Sequence, residues 1–344
     1  MLEEDAAPDL DRRRWVAGAI ACASAPSLAC AQAGVVEPFE SGVADELRGL
    51  SLAGGARWAS GAKGAVIVGG RVVRPPGAEG LDFRGIHAFS ARSALAMSAG
   101  RGEASQLWRT GDAGKTWSRI ALNTDPQGFW DAIAFADARR GFILGDPTGG
   151  RFTLLRTRDG GRTWMRTPDG ALPPAYEGEA AFAASNGSLA IGPNGLVAFC
   201  TGGLGSRARA YVSRDSGQSF IVLDAPIAAN LASRGGFACA FDRAGTLWLC
   251  GGDYRAPKAE GVNLARLPAG TTAFEAVAAP AGYLSSLAAR DGAVIATGLA
   301  GTIVSRGGRP FVRVSETPFN TVRLRGADEA YLVGPKGSMG RWRA

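Results

Sequence analysis

The chain has 344 residues, of which 46% are hydrophobic and 20% charged, with 50 glycines and a formal net charge of +7. That length and apolar fraction are enough for a sizeable core and exclude a disordered chain. The positive excess is diffuse and forms no basic stripe, which argues against nucleic-acid binding and leaves solubility or anionic partners as its use.

A polar opening leads into Asp11-Arg12-Arg13-Arg14-Trp15-Val16, and an Ala-rich apolar stretch follows to Leu28. Ala29-Cys30-Ala31 or Ala31-Gln32-Ala33 then offers a small-residue cleavage site. This predicts a signal peptide over residues 1–33, not a membrane span, because the apolar run is short and Pro26 interrupts it. The Arg pair ahead of the apolar run resembles a twin-arginine signal, and an ordinary secretory leader fits equally well. Leu28-Ala29-Cys30 puts its apolar residue one position too near the Cys for a lipoprotein site. The expected location is periplasmic or secreted. The first 33 residues hold three of the 38 basic and five of the 31 acidic residues, so residues 34–344 stand at +9.

From residue 34 onward helical periodicity is nearly absent. Short apolar runs bounded by Gly, Pro or Asp recur, which is an all-β pattern. Val66-Ile67-Val68-Gly69, Ala94 to Gly100, Gly141 to Gly145, Gly195 to Gly202, Gly245 to Gly251, Gly292 to Gly298 and Glu329 to Gly334 mark one such run per structural repeat. For the first repeat, Ala56 to Gly61 fits the same strand position better. Between the runs lies an octapeptide of hydroxyl, any, Asp, any, Gly, any, hydroxyl, aromatic. It reads Thr110-Gly111-Asp112-Ala113-Gly114-Lys115-Thr116-Trp117, then Thr157-Arg158-Asp159-Gly160-Gly161-Arg162-Thr163-Trp164, then Ser213-Arg214-Asp215-Ser216-Gly217-Gln218-Ser219-Phe220. The Asp can accept backbone N–H groups of its own turn, Gly allows a positive φ, and the aromatic should pack inward. A degenerate copy is expected at residues 305–311, and another copy is lost between Leu264 and Phe274.

This octapeptide resembles the Asp-box (BNR) repeat, which occupies the hairpin between the third and fourth strands of a β-propeller blade. The spacing of about 45–55 residues agrees with four-stranded blades. We therefore expect a single β-propeller domain over residues 34–344, seven-bladed, with six blades as the alternative. The last repeat, from Asn320 to Arg343, is one strand short. Val35-Val36-Glu37-Pro38 is expected to supply that strand and close the ring, because an open ring leaves bare sheet edges. Leu81-Asp82-Phe83-Arg84, Asp131 to Phe135, Gly145-Asp146-Pro147, Ala181 to Ser185, Thr201-Gly202-Gly203 and Gly251 to Tyr254 are similar to a bacterial branch of the photosystem II stability/assembly factors. The resemblance spans roughly residues 46–343 and implies an exported scaffold, without implying photosynthesis.

Two phosphate-binding look-alikes lack their context. Gly114-Lys115-Thr116 has Arg109 where a P-loop needs Gly, and Gly203-Leu204-Gly205-Ser206-Arg207-Ala208 precedes a strand rather than a helix. Cys239 and Cys250 flank a hairpin expected to turn at Ala244-Gly245, which would set them opposite each other as a possible disulfide, with buried thiols as the alternative. Cys200 is left over on either reading.

The expected site lies on the channel face opposite the Asp boxes. Its candidate ligand-binding residues are Arg84, Trp130, Asp131, Asp146, Glu179, Asp253, Tyr254, Tyr283 and Asn320, polar and aromatic groups at strand ends. Asp112, Trp117, Asp159, Trp164, Asp215 and Phe220 are expected to be structural. A non-enzymatic binding or assembly-factor-like role is favoured, with a protein, small ligand or glycan as partner. The alternative is a sialidase-like glycoside hydrolase. That reading wants an Arg clamp, and only Arg84 stands in the expected loops; the candidate carboxylates have no spacing that selects a catalytic pair. No metal or other cofactor is implied, no catalytic residue can be named, and a monomer is expected. The lone His87 fits a core or edge position.

Overall fold

The structure, a computed structural model, describes residues 34–344. The expected leader, residues 1–33, lies outside the described residues. Among the described residues there is no α-helix, and no helix is long and apolar enough to cross a membrane. The strands form five four-stranded antiparallel sheets and one nine-stranded sheet. The nine-stranded sheet falls into two similar halves joined where Val197–Gly203 meets Leu231–Phe241. The expected count of seven rests on dividing it there.

The innermost strands touch in succession around a closed ring. They are Leu47–Ala53, Phe83–Ala88, Trp130–Phe135, Leu189–Ile191, Leu231–Phe241, Ser286–Arg290 and Thr321–Leu324, and the last returns against the first. This is a β-propeller. Its closure follows the expectation from the short last repeat. Val35–Phe39 pairs antiparallel with Met339–Arg343, from Val35 opposite Arg343 to Phe39 opposite Met339. Val36 packs there beside the fully buried Trp342.

Each octapeptide joins the third and fourth strands of its sheet, as between Gln106–Thr110 and Ser118–Leu122. Thr110 and Thr116 donate hydroxyl bonds to Asp112 at 2.9 and 2.6 Å, and the Thr116 amide donates at 2.9 Å. The same set recurs around Asp159 and Asp215. The turn needs two successive left-handed residues, Ala113 and Gly114, Gly160 and Gly161, or Ser216 and Gly217. Only the second is always Gly, and its amide bonds back to the first hydroxyl, as Gly161 does to Thr157 at 2.9 Å. The aromatics reach into the apolar layers: Trp117 stands edge-on to Trp58 at 6.4 Å, Trp164 to Phe135 at 6.0 Å, and Phe220 lies 5.8 Å from Phe199. Hydrogen bonds from Thr116 hold the Asp112 carboxyl down at about 2, and those from Thr163 hold Asp159 lower still. At Asp215 some burial opposes the Ser219 and Ser213 bonds, and the result is again about 2. These carboxylates are consumed by their own turns.

The cysteine expectation is corrected. Ala238, not Cys239, stands opposite Cys250, and Cys239 stands opposite Leu249. A one-residue slip turns every side chain to the other face of a strand. The two thiols therefore enter different apolar layers, Cys239 with Cys200 and Cys250 with Leu284 and Leu287. All three are buried and free. The hairpin turns through Asp242 to Thr246, whose amide bonds the Asp242 carboxylate at 2.9 Å, and a bulge between Gly236 and Ala238 breaks the ladder beyond it.

Candidate functional site

Strand register separates the two faces. Ala88 is level with Ala94, which is level with Thr110, so this end of the inner strands shares its face with the Asp boxes. The other end carries Phe83 opposite Ser98, Trp130 opposite Gly145 and Arg234 opposite Asp253. All nine candidate residues sit at or near that second end. They do not converge on one pocket.

Several are occupied by the fold. Glu179 is buried and gripped by Arg209, whose Nε donates at 2.9 Å and whose second terminal nitrogen also bonds it. Thr201, Tyr211 and the Tyr176 amide complete its hydrogen bonds. Burial, then the Glu179 charge, pushes the Tyr211 phenol far above its ordinary range. Asn320 is buried and donates to the Glu46 carboxylate at 3.1 Å and the Leu47 carbonyl at 2.9 Å, fastening the last inner strand to the first. Asp253 accepts the Arg255 amide at 2.9 Å and faces Arg234 at 3.5 Å. Trp130 is core. Tyr283 is buried edge-on to Phe237 at 4.8 Å, beside the Phe182–Phe237 stack at 3.9 Å. Tyr254 stands over this group and is 40% exposed.

Asp131 and Asp146 form the unusual feature. Asp131 is only 1% exposed, and its Oδ2 has no hydrogen-bond partner. Burial first, then the Asp146 charge, raises its carboxyl well above the ordinary range, against the pull of Arg84. Burial also raises Asp146 to about 6, opposed by the Ala181 amide that donates to its Oδ1 at 2.9 Å. Arg84 itself bonds Asp82 at 2.7 Å. This is a proton-holding acid pair set into the wall.

The sequence reading missed what fills the channel. Residues 181–188 are buried, with the single exception of the half-buried Phe182, and cross the ring between Glu179–Ala180 and Leu189–Ile191. Arg48 donates to the Ala184 carbonyl at 3.3 Å, Arg84 to Ala183 at 3.4 Å and Arg323 to Ser185 at 3.3 Å. Ser185 donates to Ser285 O at 2.6 Å, and Asn186 exchanges two bonds with Ile133. The segment is a plug tied to most of the inner strands. Its signal was the string Ser185-Asn186-Gly187-Ser188, turn-forming residues where a first strand was due. Arg48, Arg209, Arg234 and Arg323 were also missed as residues of this region, because they sit within strands rather than loops.

The same face carries exposed apolar residues from both halves of the nine-stranded sheet. Leu204 is 61% exposed, Leu231 45% and Val262 39%. Gly203 pairs with Leu231, and the Tyr254 amide bonds Ser233 O, so Leu204, Leu231 and Tyr254 stand at one raised rim. Among the described residues no three His, Cys, Asp or Glu side chains group as metal ligands.

The closed ring of strands defines a β-propeller, and solved structures share that fold. The structure of YCF48 bound to a D1 peptide superposes with a TM-score of 0.65 at 15% identity, over 93% of this chain and 99% of that one. YCF48 from Cyanidioschyzon merolae gives 0.62 at 16%, over 90% and 99%. The Niastella koreensis GH74 enzyme gives 0.61 at 12%, over 88% of this chain but only 53% of its own. No family model and no curated protein matches the sequence. The chain is thus a β-propeller similar in fold to YCF48.

Proposed function

We propose that this protein is a non-enzymatic binding protein, assembly-factor-like, that docks a peptide segment of a partner on the channel face opposite the Asp boxes. The observation that carries this is the rim of Leu204, Leu231, Tyr254 and Val262, four large apolar or aromatic side chains left in water at one end of the nine-stranded sheet. The YCF48 propeller was solved with a D1 peptide, which supports a peptide as ligand class for this architecture. The leader read in residues 1–33 puts the encounter in the periplasm or outside the cell. The protein acts there as a monomer, without cofactor or nucleic acid.

Glycoside hydrolysis asks for two carboxylates free to reach a sugar. Here Glu179 is clamped by Arg209, Asp253 is held by Arg234 and the Arg255 amide, and Asp131 is closed to solvent. The channel arginines Arg48, Arg84 and Arg323 spend hydrogen bonds on plug carbonyls, so they do not form a clamp for a sugar carboxylate.

Selection from a random peptide library, followed by fluorescence polarisation on the enriched peptides, tests the reading. Leu231→Asp and Tyr254→Ala should each weaken binding at least ~10-fold, in keeping with loss of an apolar anchor. Lys115→Glu, on the Asp-box face, should leave it unchanged. Peptides that ignore the rim variants, or enrichment of none, would refute the proposal.

A further inference from the structure

On the Asp-box side of the plug the channel remains open as a cup of about 350 Å³. Its walls are the far ends of the inner strands, with Ala134, Ile191, Ala288 and Ala289 as partly exposed apolar residues and strand backbone between them. Asn186 and Gly187 of the plug form part of its floor, with Arg323 beside them. No Asp or Glu lines this cup. His87 does line it, but burial lowers that imidazole to about 4, so it is neutral near pH 7.

Arg323 is the group that needs explaining. Its terminal nitrogens donate to Val322 O at 2.8 Å, to Ser286 Oγ and Ser185 O at 3.3 Å, and to Asn186 O at 3.4 Å. Every acceptor is neutral, and three of the four bonds are long. No carboxylate pairs with it among the described residues, whereas Arg48, Arg84, Arg209 and Arg234 each have one. An enclosed charge is normally paired, because desolvation is otherwise uncompensated. At the rim, Arg290 adds a second positive group, 3.4 Å from Asp291.

We propose that this cup binds a small organic carboxylate with an unbranched apolar body. The carboxylate takes the place of the missing counter-ion at Arg323, and the body lies against Ala134, Ile191 and Ala288, lining residues that keep some exposure. The volume is at the lower end of small-molecule sites. The plug separates this site from the peptide rim, so the proposal stands independently of the function argued above.

Isothermal titration of the protein with acetate, butyrate and hexanoate, beside hexylamine and hexanol, is the test. Affinity should rise about fourfold per added methylene, the worth of one CH₂ leaving water. Hexylamine and hexanol should bind at least ~10-fold more weakly than hexanoate, because neither neutralises the guanidinium. Arg323→Gln keeps an N–H donor for the plug and removes the charge, and should cost hexanoate at least ~10-fold. Arg323→Lys should restore part of that loss. Ala134→Leu leaves Arg323 and the plug intact but narrows the cup, so it should weaken hexanoate more than acetate. Absence of hexanoate binding to the unaltered protein overturns the proposal. So does binding that hexylamine matches, or that Ala134→Leu leaves untouched.

Discussion

Asp146→Asn should stabilise the protein, and only above the pH at which the acid pair loses its proton. Burial raises the Asp146 carboxyl from 3.8 to about 6. The folded protein therefore holds this proton more tightly than the unfolded chain does. Between about pH 4 and pH 6 the folded state binds more protons at this site, so stability falls as pH rises through that window and is flat beyond it. The full stabilising effect is present below pH 4 and gone above pH 6. Two pKa units at ~1.4 kcal/mol each set the loss at about 3 kcal/mol. Asn mimics the protonated acid and can keep the bond from the Ala181 amide at 2.9 Å. The variant should match the parent at pH 4 and exceed it by up to about 3 kcal/mol at pH 7. With an unfolding entropy of ~2.1 cal/mol/K per residue over ~300 residues, that gain is about 4–5 °C in Tm. The assay is differential scanning calorimetry of both proteins from pH 4 to pH 8. Only the difference between them is informative. The Asp-box carboxyls are held low and work in the opposite sense: their contribution is present above pH 4 and is lost as pH falls toward about 2. A gain that is equal at pH 4 and pH 7, or a loss at pH 7, would show that the pair is not an uncompensated buried charge.

Arg209→Met leaves Glu179 buried without its partner and should cost about 3–5 kcal/mol in urea unfolding; adding Glu179→Gln should recover most of that. Trp342→Ala opens a cavity in the closing blade and should cost about 3–5 kcal/mol by the same measurement. Removing residues before Gly42 strips the strand from Met339–Arg343 and should lower Tm sharply and promote association through the bared edge, read by calorimetry and light scattering. Unchanged melting in that truncation would mean the closing strand is dispensable. Asp159→Ala deprives Thr157, Arg162 and Thr163 of their shared acceptor and should lower Tm by a few degrees without touching peptide binding at the rim.

The legible parts of this sequence are those settled by neighbours in the chain. An Asp box is a turn whose donors and acceptor lie within five residues, so Asp112, Asp159 and Asp215 could be assigned their roles directly. The closing strand was legible for another reason: a repeat count that falls one strand short points to a strand elsewhere. The strand-end placement of the nine candidate residues also follows from the repeat. What they touch does not. Glu179 is neutralised by an arginine 30 positions away, and Asn320 is used by a strand 273 positions away. Arg48, Arg209 and Arg323 sit within strands, where nothing local marks a long-range role, yet Arg48 and Arg323 hold the plug. The Cys239 error came from the turn, where three residues stand between Asp242 and Thr246 instead of the expected two, and that one extra residue shifts the register along the whole hairpin. The plug itself was hidden because its composition, Ala, Ser, Asn and Gly, resembles that of any loop.

The pairing of Val35–Phe39 with Met339–Arg343 also governs how the protein can be made. The strand synthesised early in the described chain has no partner until the last blade emerges about 300 residues later. Closing so long a loop costs about 3–4 kcal/mol more than closing a five-residue hairpin, which the pairing and packing of the strand must offset. The kinetics feel it too, because such distant pairing is slow to form and leaves a bare strand edge waiting. A ribosome that stops a blade early releases an open horseshoe rather than a smaller ring. The clasp can therefore form only once the strand Met339–Arg343 has been made.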